Sequence, residues 1–153
     1  MPDERPTAAD FGEFNDLVIC SFRDNAGRVE VEGVQAPVIL LHHVGRSSGA
    51  ERVVPLAYLV VDDGWAVFGS RGGSKWDPDW YLNLIAEPNA TIETPDGIVE
   101  VRARVAHGRE RDDLWSQHKG LHPEWEVYES QATPRTIPAV VLERRAASNK
   151  GSR

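Results

Sequence analysis

Two short loops hold the residue types best suited to bind something. The first is Gly45-Arg46-Ser47-Ser48-Gly49, followed by Arg52, and the second is Ser70-Arg71-Gly72-Gly73-Ser74-Lys75. Glycine lets backbone N–H groups approach a ligand closely, and Arg and Lys add cationic donors for an anion. Between the loops lie two strand-like runs, Val53–Val61 and Trp65–Gly69, joined by Asp62-Asp63-Gly64. A hairpin returns the chain to the end from which it left, so both loops are expected at one rim of one sheet. Taken singly, each loop reads as an ordinary polar turn. The shared rim is what points to a phosphorylated small molecule.

Other chemistry is missing from the sequence. It has no G-x-G-x-x-G, no P-loop, no H-E-x-x-H and no G-x-S-x-G elbow. His42 and His43 are adjacent, so in a strand they point to opposite faces and cannot clasp one metal ion. No metal site is expected. Cys20 falls within the first expected helix and reads as a small core residue, not a nucleophile. An enzyme without nucleophile, metal or acid–base pair needs a cofactor for its hard chemistry.

Composition narrows the class further. At 153 residues the chain is expected to form one domain. It is 41% hydrophobic, yet no apolar run approaches the roughly 20 residues that span a bilayer. A net charge of −7 argues against nucleic acid or an anionic membrane as partner. Against that background Arg46, Arg52, Arg71 and Lys75 stand out, although Glu51 and Asp77 lie close by. Asp62 and Asp63 belong to the turn at the far end of the strands. The single cysteine excludes an intramolecular disulfide. With no apolar stretch in Met1–Asp10, a cytoplasmic protein without signal peptide is expected.

The elements that must position the loops follow from periodicity. Residues 1–10 are expected to be disordered, 11–143 to form one domain, and 144–153 to be a flexible tail. Thr7 is placed to cap a helix with Phe11, Phe14, Val18 and Phe22 on its apolar face and Gly27 as its stop. The acids Asp10, Glu13 and Asp16 disfavour membrane docking of this helix, though a peripheral contact stays open. Pro37–Val44 reads as a buried strand. Pro78–Ala86 reads as a short helix packing through Trp80, Leu84 and Ile85, and Pro88 ends it. Ala90–Thr94 and Ile98–Ala106 form a hairpin through Pro95-Asp96-Gly97, with Val99, Val101, Ala103 and Val105 on one face. Two helices, Arg109–Lys119 and Pro123–Gln131, precede a last strand, Ile137–Glu143. The order lacks β-α-β alternation. It fits six mainly antiparallel strands with peripheral helices, a small closed or split β-barrel.

Several ordered motifs carry a family resemblance. Val44-Gly45-Arg46-Ser47-Ser48-Gly49 with Arg52 and Pro55-Leu56 is the first. Ser70-Arg71-Gly72-Gly73, then Pro78-x-Trp80-Tyr81-x-Asn83-Leu84 and Pro88, follow it. Thr136-Ile137-Pro138 before Val140-Val141-Leu142-Glu143 is the last. From about Phe14 to Glu143 the chain resembles the deazaflavin (F420)-dependent nitroreductases, actinobacterial quinone and nitro reductases with the split-barrel flavin-binding fold. The resemblance implies a reductase using coenzyme F420, an 8-hydroxy-5-deazaflavin with a phosphate and an oligoglutamate tail. It implies phosphate-side contacts from Arg46, Ser48, Gly49 and Arg52. Ser70, Arg71, Gly72, Gly73 and Lys75 would line the ring and tail, with Trp80, Tyr81 and Asn83 bracing that second loop. His122, Trp125 and Tyr128 would form the pocket for a small-molecule acceptor. Tyr128 is the candidate catalytic proton donor or hydrogen-bonder, with simple barrel packing as the alternative. The chain departs from the family at Ser47, where a cation is usual, and at His42 and His43, where Thr is common. One of these histidines could reach the cofactor. An FMN-dependent reductase of the same fold, a non-catalytic F420 carrier and a lipid-associated binding module remain open, as does a homodimer.

Overall fold

The computed structural model describes residues 12–32, 34 and 36–145. Thr7, Phe11 and the stretches expected to be disordered or flexible, residues 1–10 and 146–153, lie outside the described residues. Helix α1 spans Gly12–Asp24. Strands β1 (Val38–Val44), β2 (Glu51–Ala57), β3 (Leu59–Val61) and β4 (Gly64–Phe68) follow. A single 3₁₀ turn, Arg71–Gly73, leads to α2 (Asp79–Ala86). Strands β5 (Asn89–Thr94) and β6 (Gly97–Val105), helices α3 (Gly108–Leu121) and α4 (Trp125–Ala132), and strand β7 (Ala139–Arg144) complete the order.

The strands form one seven-stranded sheet in the order β2-β1-β5-β6-β7-β4-β3, and every pair is antiparallel. The expected run Val53–Val61 is in fact two strands. β2 pairs with β1, β3 pairs with β4, and only Tyr58 separates them. They lie at opposite ends of the sheet order, so a sheet that has them consecutive in the chain must curl. A bend where a strand changes neighbours is the usual way to make such a corner. Among the described residues the result is mainly β, a half-barrel with four helices around it, as the order of elements predicts. The strand count is seven instead of six because of this switch.

Burial explains the sequence of each strand. Ile39, Leu41, Trp65, Val67, Ile92, Val101, Val140 and Leu142 meet Trp80 and Leu84 of α2 in one core. Ala66, Phe68, Ala139 and Val141 face Leu114 and Trp115 of α3 and Ala132 of α4. β4 is therefore buried at every position, since both of its faces are covered. Val18 and Phe22 seat α1 on Val38 and Leu40. Cys20 is exposed, contrary to its reading as core. It lies about 200° around the helix from both Val18 and Phe22, so seating those two turns it outward. Phe14 and Ile85 are also exposed. Ile85 points away from the Trp80–Leu84 face. α3 and α4 are tied by Glu129, which accepts from Trp115 Nε1 and Lys119 Nζ, each at 2.8 Å. β7 runs to Arg144, whose guanidinium sits 4.6 Å above the Trp65 ring, so the chain stays anchored just past the expected end of the domain.

His118 is fully buried beneath this layer. Its ring stacks on Phe68 with 4.4 Å between centroids and meets the edge of Trp125 at the same separation. Among the described residues neither ring nitrogen has a hydrogen-bond partner. Burial pushes its pKa down to about 4, against about 6.5 in an unfolded chain. The unfolded state therefore binds more protons between those values. The stability from this neutral ring is present above about pH 6.5 and is lost as pH falls toward 4. His118→Phe should keep the stack and remove this acid loss. Urea unfolding at pH 7.5 and pH 4.5 should show a smaller stability drop in the variant, by up to about 3 kcal/mol.

Candidate functional site

A cleft of about 650 Å³ opens between the two basic loops. Gly45, Arg46, Ser48 and Arg52 form one wall, and Phe68, Ser70 and Arg71 form the next. Trp125 and Tyr128 of α4, Trp80 and Asn83 of α2, and Asn15 and Asp16 of α1 complete the lining. The shared rim expected from the hairpin is thus present. It arises because the chain between the loops crosses from one sheet edge to the other.

The first loop is a tight turn between β1 and β2. Gly45 N–H donates to Ala50 O and Gly49 N–H to Gly45 O, each at 2.8 Å. A Cβ on Gly45 would lie 2.6 Å from Ser48 Oγ and 3.4 Å from Arg52 Nε, so glycine leaves room for these two side chains to fold over the turn. Ser48 Oγ accepts from Ala50 N–H at 3.1 Å and so shapes the loop as well as lining the cleft. Asn83, expected to brace the second loop, braces this one. Its Oδ1 accepts from Arg46 N–H at 3.0 Å and from Arg46 Nη1 at 2.8 Å. Asp79 Oδ1 accepts from Arg46 Nη2 at 3.3 Å. Arg46 is held in place before any ligand arrives.

The two histidines of β1 diverge as their adjacency requires. His43 is paired in register with Arg52, lines the cleft and is buried. Its pKa is pushed down to about 4, first by burial and then by the Arg52 charge. His42 takes the opposite face, with Nε2 2.6 Å from Glu93 and Nδ1 3.1 Å from Glu51.

The second loop depends on a residue the sequence reading missed. Arg135 donates through Nη1 to Gly69 O at 2.9 Å and to Asp77 Oδ1 at 2.8 Å. Nη2 donates to Ser70 O at 2.9 Å and Ser74 O at 2.6 Å, and Nε donates to Ser74 O at 3.1 Å. One planar guanidinium thereby fixes the whole turn. The available signal was its position directly before Thr136-Ile137-Pro138. Within the turn, Arg71 has a positive φ of 47° while lining the cleft. Gly73, at φ +86°, lets the turn lie against α4, since a Cβ there would meet Gln131 Oε1 at 2.6 Å and Tyr128 Cα at 3.2 Å.

The structure brings Arg46, Ser48, Arg52, Ser70, Arg71, Trp125 and Tyr128 together around one cleft. Gly49, at φ +74°, belongs to the first turn, and Gly72 to the 3₁₀ turn of the second. Lys75 is placed elsewhere. Its Nζ donates to Thr133 O at 2.7 Å and Gln131 O at 3.2 Å, at the C-terminus of α4. His122 caps α3 instead of starting α4, and its ring lies 5.0 Å from that of His118. Trp80 and Tyr81 pack with the core around Leu84. No described helix is long and apolar enough to cross a membrane. Among the described residues no cluster of His, Cys, Asp or Glu is arranged to hold a metal ion.

The curled antiparallel sheet with helices around it is a split half-barrel, and its cleft carries both guanidinium and aromatic side chains. The sequence pattern of the F420H(2)-dependent quinone reductases matches residues 17–144, and the chain belongs to that family of F420H2-dependent oxidoreductases. An F420H(2)-dependent quinone reductase of Mycobacterium tuberculosis strain H37Rv is 31% identical over 129 residues, 81% of this chain and 85% of its own length. A second protein of that strain is 34% identical over 106 residues, 69% of this chain and 88% of its own. The solved F420-H2 dependent reductase FDR-A matches with a TM-score of 0.64 at 30% identity, over 72% of this chain and 100% of that one. Another solved structure, described as a domain-swapped dimer, matches with a TM-score of 0.65 at 27% identity, over 90% and 100% of the two chains. The family's cofactor is coenzyme F420, and nothing in these similarities supports the FMN alternative.

Arg135 supplies a test of how the second loop is held. Lysine cannot reproduce a planar fork that serves Gly69, Ser70, Ser74 and Asp77 together. Arg135→Lys should lower stability by about 2 kcal/mol. Amide hydrogen exchange should speed up selectively over residues 70–75. Unchanged exchange there would show that the turn holds without the clamp.

Proposed function

We propose that the cleft holds coenzyme F420, with its anionic side against Arg46, Arg52 and Arg71 and its ring toward Trp125 and Tyr128, and that a small quinone-like acceptor is reduced there. The carrying observation is that one cleft is lined both by the guanidinium residues Arg46, Arg52 and Arg71 and by the aromatic residues Phe68, Trp80, Trp125 and Tyr128. Guanidinium groups suit phosphate and carboxylate oxygens, and aromatic faces suit a flat ring. The donor set therefore fits the cofactor. Because Asn83 and Asp79 already orient Arg46, little ordering remains to be done on binding.

When bound and reduced, the deazaflavin supplies a hydride from C5. The chain's part is to orient the acceptor, exclude water and deliver the one further proton a quinone needs. Tyr128 is assigned that proton or a hydrogen bond to the developing hydroxyl oxygen. Trp125 packs edge-on against it at 5.2 Å and fixes its ring. The domain-swapped relative in the structural comparison supports a homodimer, and a cytoplasmic setting is part of the same reading.

Fluorescence titration should show oxidised F420 binding more tightly than FMN, and equal or reversed affinities would overturn the assignment. Arg46→Ala and Arg52→Ala should each weaken F420 binding by roughly 1.5–3 kcal/mol at low salt, less so as salt rises. Tyr128→Phe should leave F420 affinity nearly unchanged and slow the oxidation of F420H2 by quinones. A general-acid role predicts a loss of about 10²–10⁴-fold in turnover. Unchanged turnover across several acceptors would reduce Tyr128 to packing.

A further inference from the structure

The cleft wall includes a histidine whose protonation is fixed by its neighbours. Asn83 is 2% exposed, and its Oδ1 takes hydrogen bonds from two Arg46 groups that can only donate. That atom must be the amide oxygen. The other end of the amide, Nδ2, then faces His43 Nδ1 at 2.9 Å. An amide nitrogen only donates, so Nδ1 of His43 accepts and bears no proton. A neutral imidazole has one N–H, and here it must be on Nε2. The charged groups around the ring are Arg52 on β2, Asp79 on α2 and Arg46 on the first loop, with His42 next in the chain. Asp16 and Arg71 line the same cleft. Burial and Arg52 outweigh Asp79, so the ring stays neutral through physiological pH.

We infer that His43 is a specificity-determining residue of the cofactor site, an uncharged donor whose Nε2–H, oriented by Asn83, hydrogen-bonds an oxygen of the bound deazaflavin. The inference rests on the reading that the cleft holds F420. It gives a definite chemistry to one of the two adjacent histidines of β1. A cationic histidine would attract the whole polyanion and would make binding tighten as pH fell through about 6.5. A neutral, fixed donor selects an acceptor atom and adds no such pH dependence.

Two measurements on the intact protein test this. The first needs no cofactor. With ¹⁵N-histidine labelling, the ring nitrogens of His43 should show an unprotonated Nδ1 and a protonated Nε2, unchanged from pH 8 to 5.5. Asn83→Asp keeps an acceptor for Arg46 but presents only acceptors to His43. It should move the proton onto Nδ1 or raise the titration to 6.5 or above. A wild-type Nδ1–H tautomer, or titration near 6.5, overturns the inference. The second measurement is fluorescence titration with oxidised F420. His43→Gln places an amide N–H near the Nε2 position and should bind within about threefold of wild type. His43→Asn keeps a partner for Asn83 but falls short of the ligand, and should bind about tenfold more weakly. Parallel pH profiles for wild type and His43→Gln are expected. If wild type binds F420 and His43→Asn binds it equally well, His43 makes no ligand contact and the inference fails while the cofactor reading stands. If wild type fails to bind F420, the cofactor reading fails first, and the role proposed for His43 with it.

Discussion

One stretch of chain, Glu51–Val61, serves as both edges of the sheet, and the site depends on that constraint. β2 closes against β1 and β3 closes against β4, with Tyr58 as the only residue between. A flat sheet cannot satisfy both pairings, because its two edges would lie far apart. Once the sheet curls, the turn before β2 and the turn after β4 lie on the same side. The two basic loops meet for that reason, not from any attraction between them. Their like charges oppose the meeting, so buried apolar area along β1, β4 and β7 has to outweigh that repulsion.

The arginines near the cleft divide by how fully their donors are taken. Arg135 is nearly buried and places its hydrogen bonds on backbone carbonyls and Asp77. It is structural and has little left to offer a ligand. Arg46 is about one-third exposed and shares its guanidinium between Asn83 and Asp79. An incoming anion would meet it already aimed, in competition with one carboxylate. Arg52 lies over Gly45, and Arg71 sits at the cleft in a strained backbone conformation. Arg135 and Arg46 thus differ in what their guanidinium groups hold, backbone carbonyls in one case and two side chains in the other. Composition cannot display that difference, since it counts charges without their partners.

The sequence made most of the fold legible because its signals were local. Pro95-Asp96-Gly97 marks the β5–β6 turn, and the alternation along β6 marks its buried face. The switch at Tyr58 left no mark, because a strand keeps its two-residue period while it changes neighbours. An apolar residue inside a helix suggests burial until the packed face is known, and Cys20 and Ile85 are both exposed. At the site, the glycine-rich loops are legible as loops, and the structure adds that Trp125 and Tyr128 line the same cleft. The sequence shows the charge of Lys75 but not the Gln131 and Thr133 carbonyls that receive it. The spacing of His122, Trp125 and Tyr128 suggests one helix face, yet the break before Trp125 leaves His122 at the end of α3. Arg135 and Asn83 act through tertiary hydrogen bonds with partners 37 to 66 positions away, and no periodicity records such pairings.

Three departures from local rules lie in the cleft wall or directly behind it. His118 is buried with neither ring nitrogen bonded, directly behind Phe68 and Trp125. Arg71 takes a left-handed conformation that disfavours any side chain with a Cβ. His43 gives up its charge in the cleft wall. Each feature costs stability that an apolar or glycine substitute would not, and none is needed to close the barrel. Consistency between local preference and global fold is the general condition for folding, and departures concentrate where function competes with it. The well-packed parts of the sheet, β4 between its two covered faces above all, supply the stability that offsets them. Rigid strands and a strained rim are therefore two sides of one arrangement. The barrel holds the cleft residues in positions that they would not adopt alone.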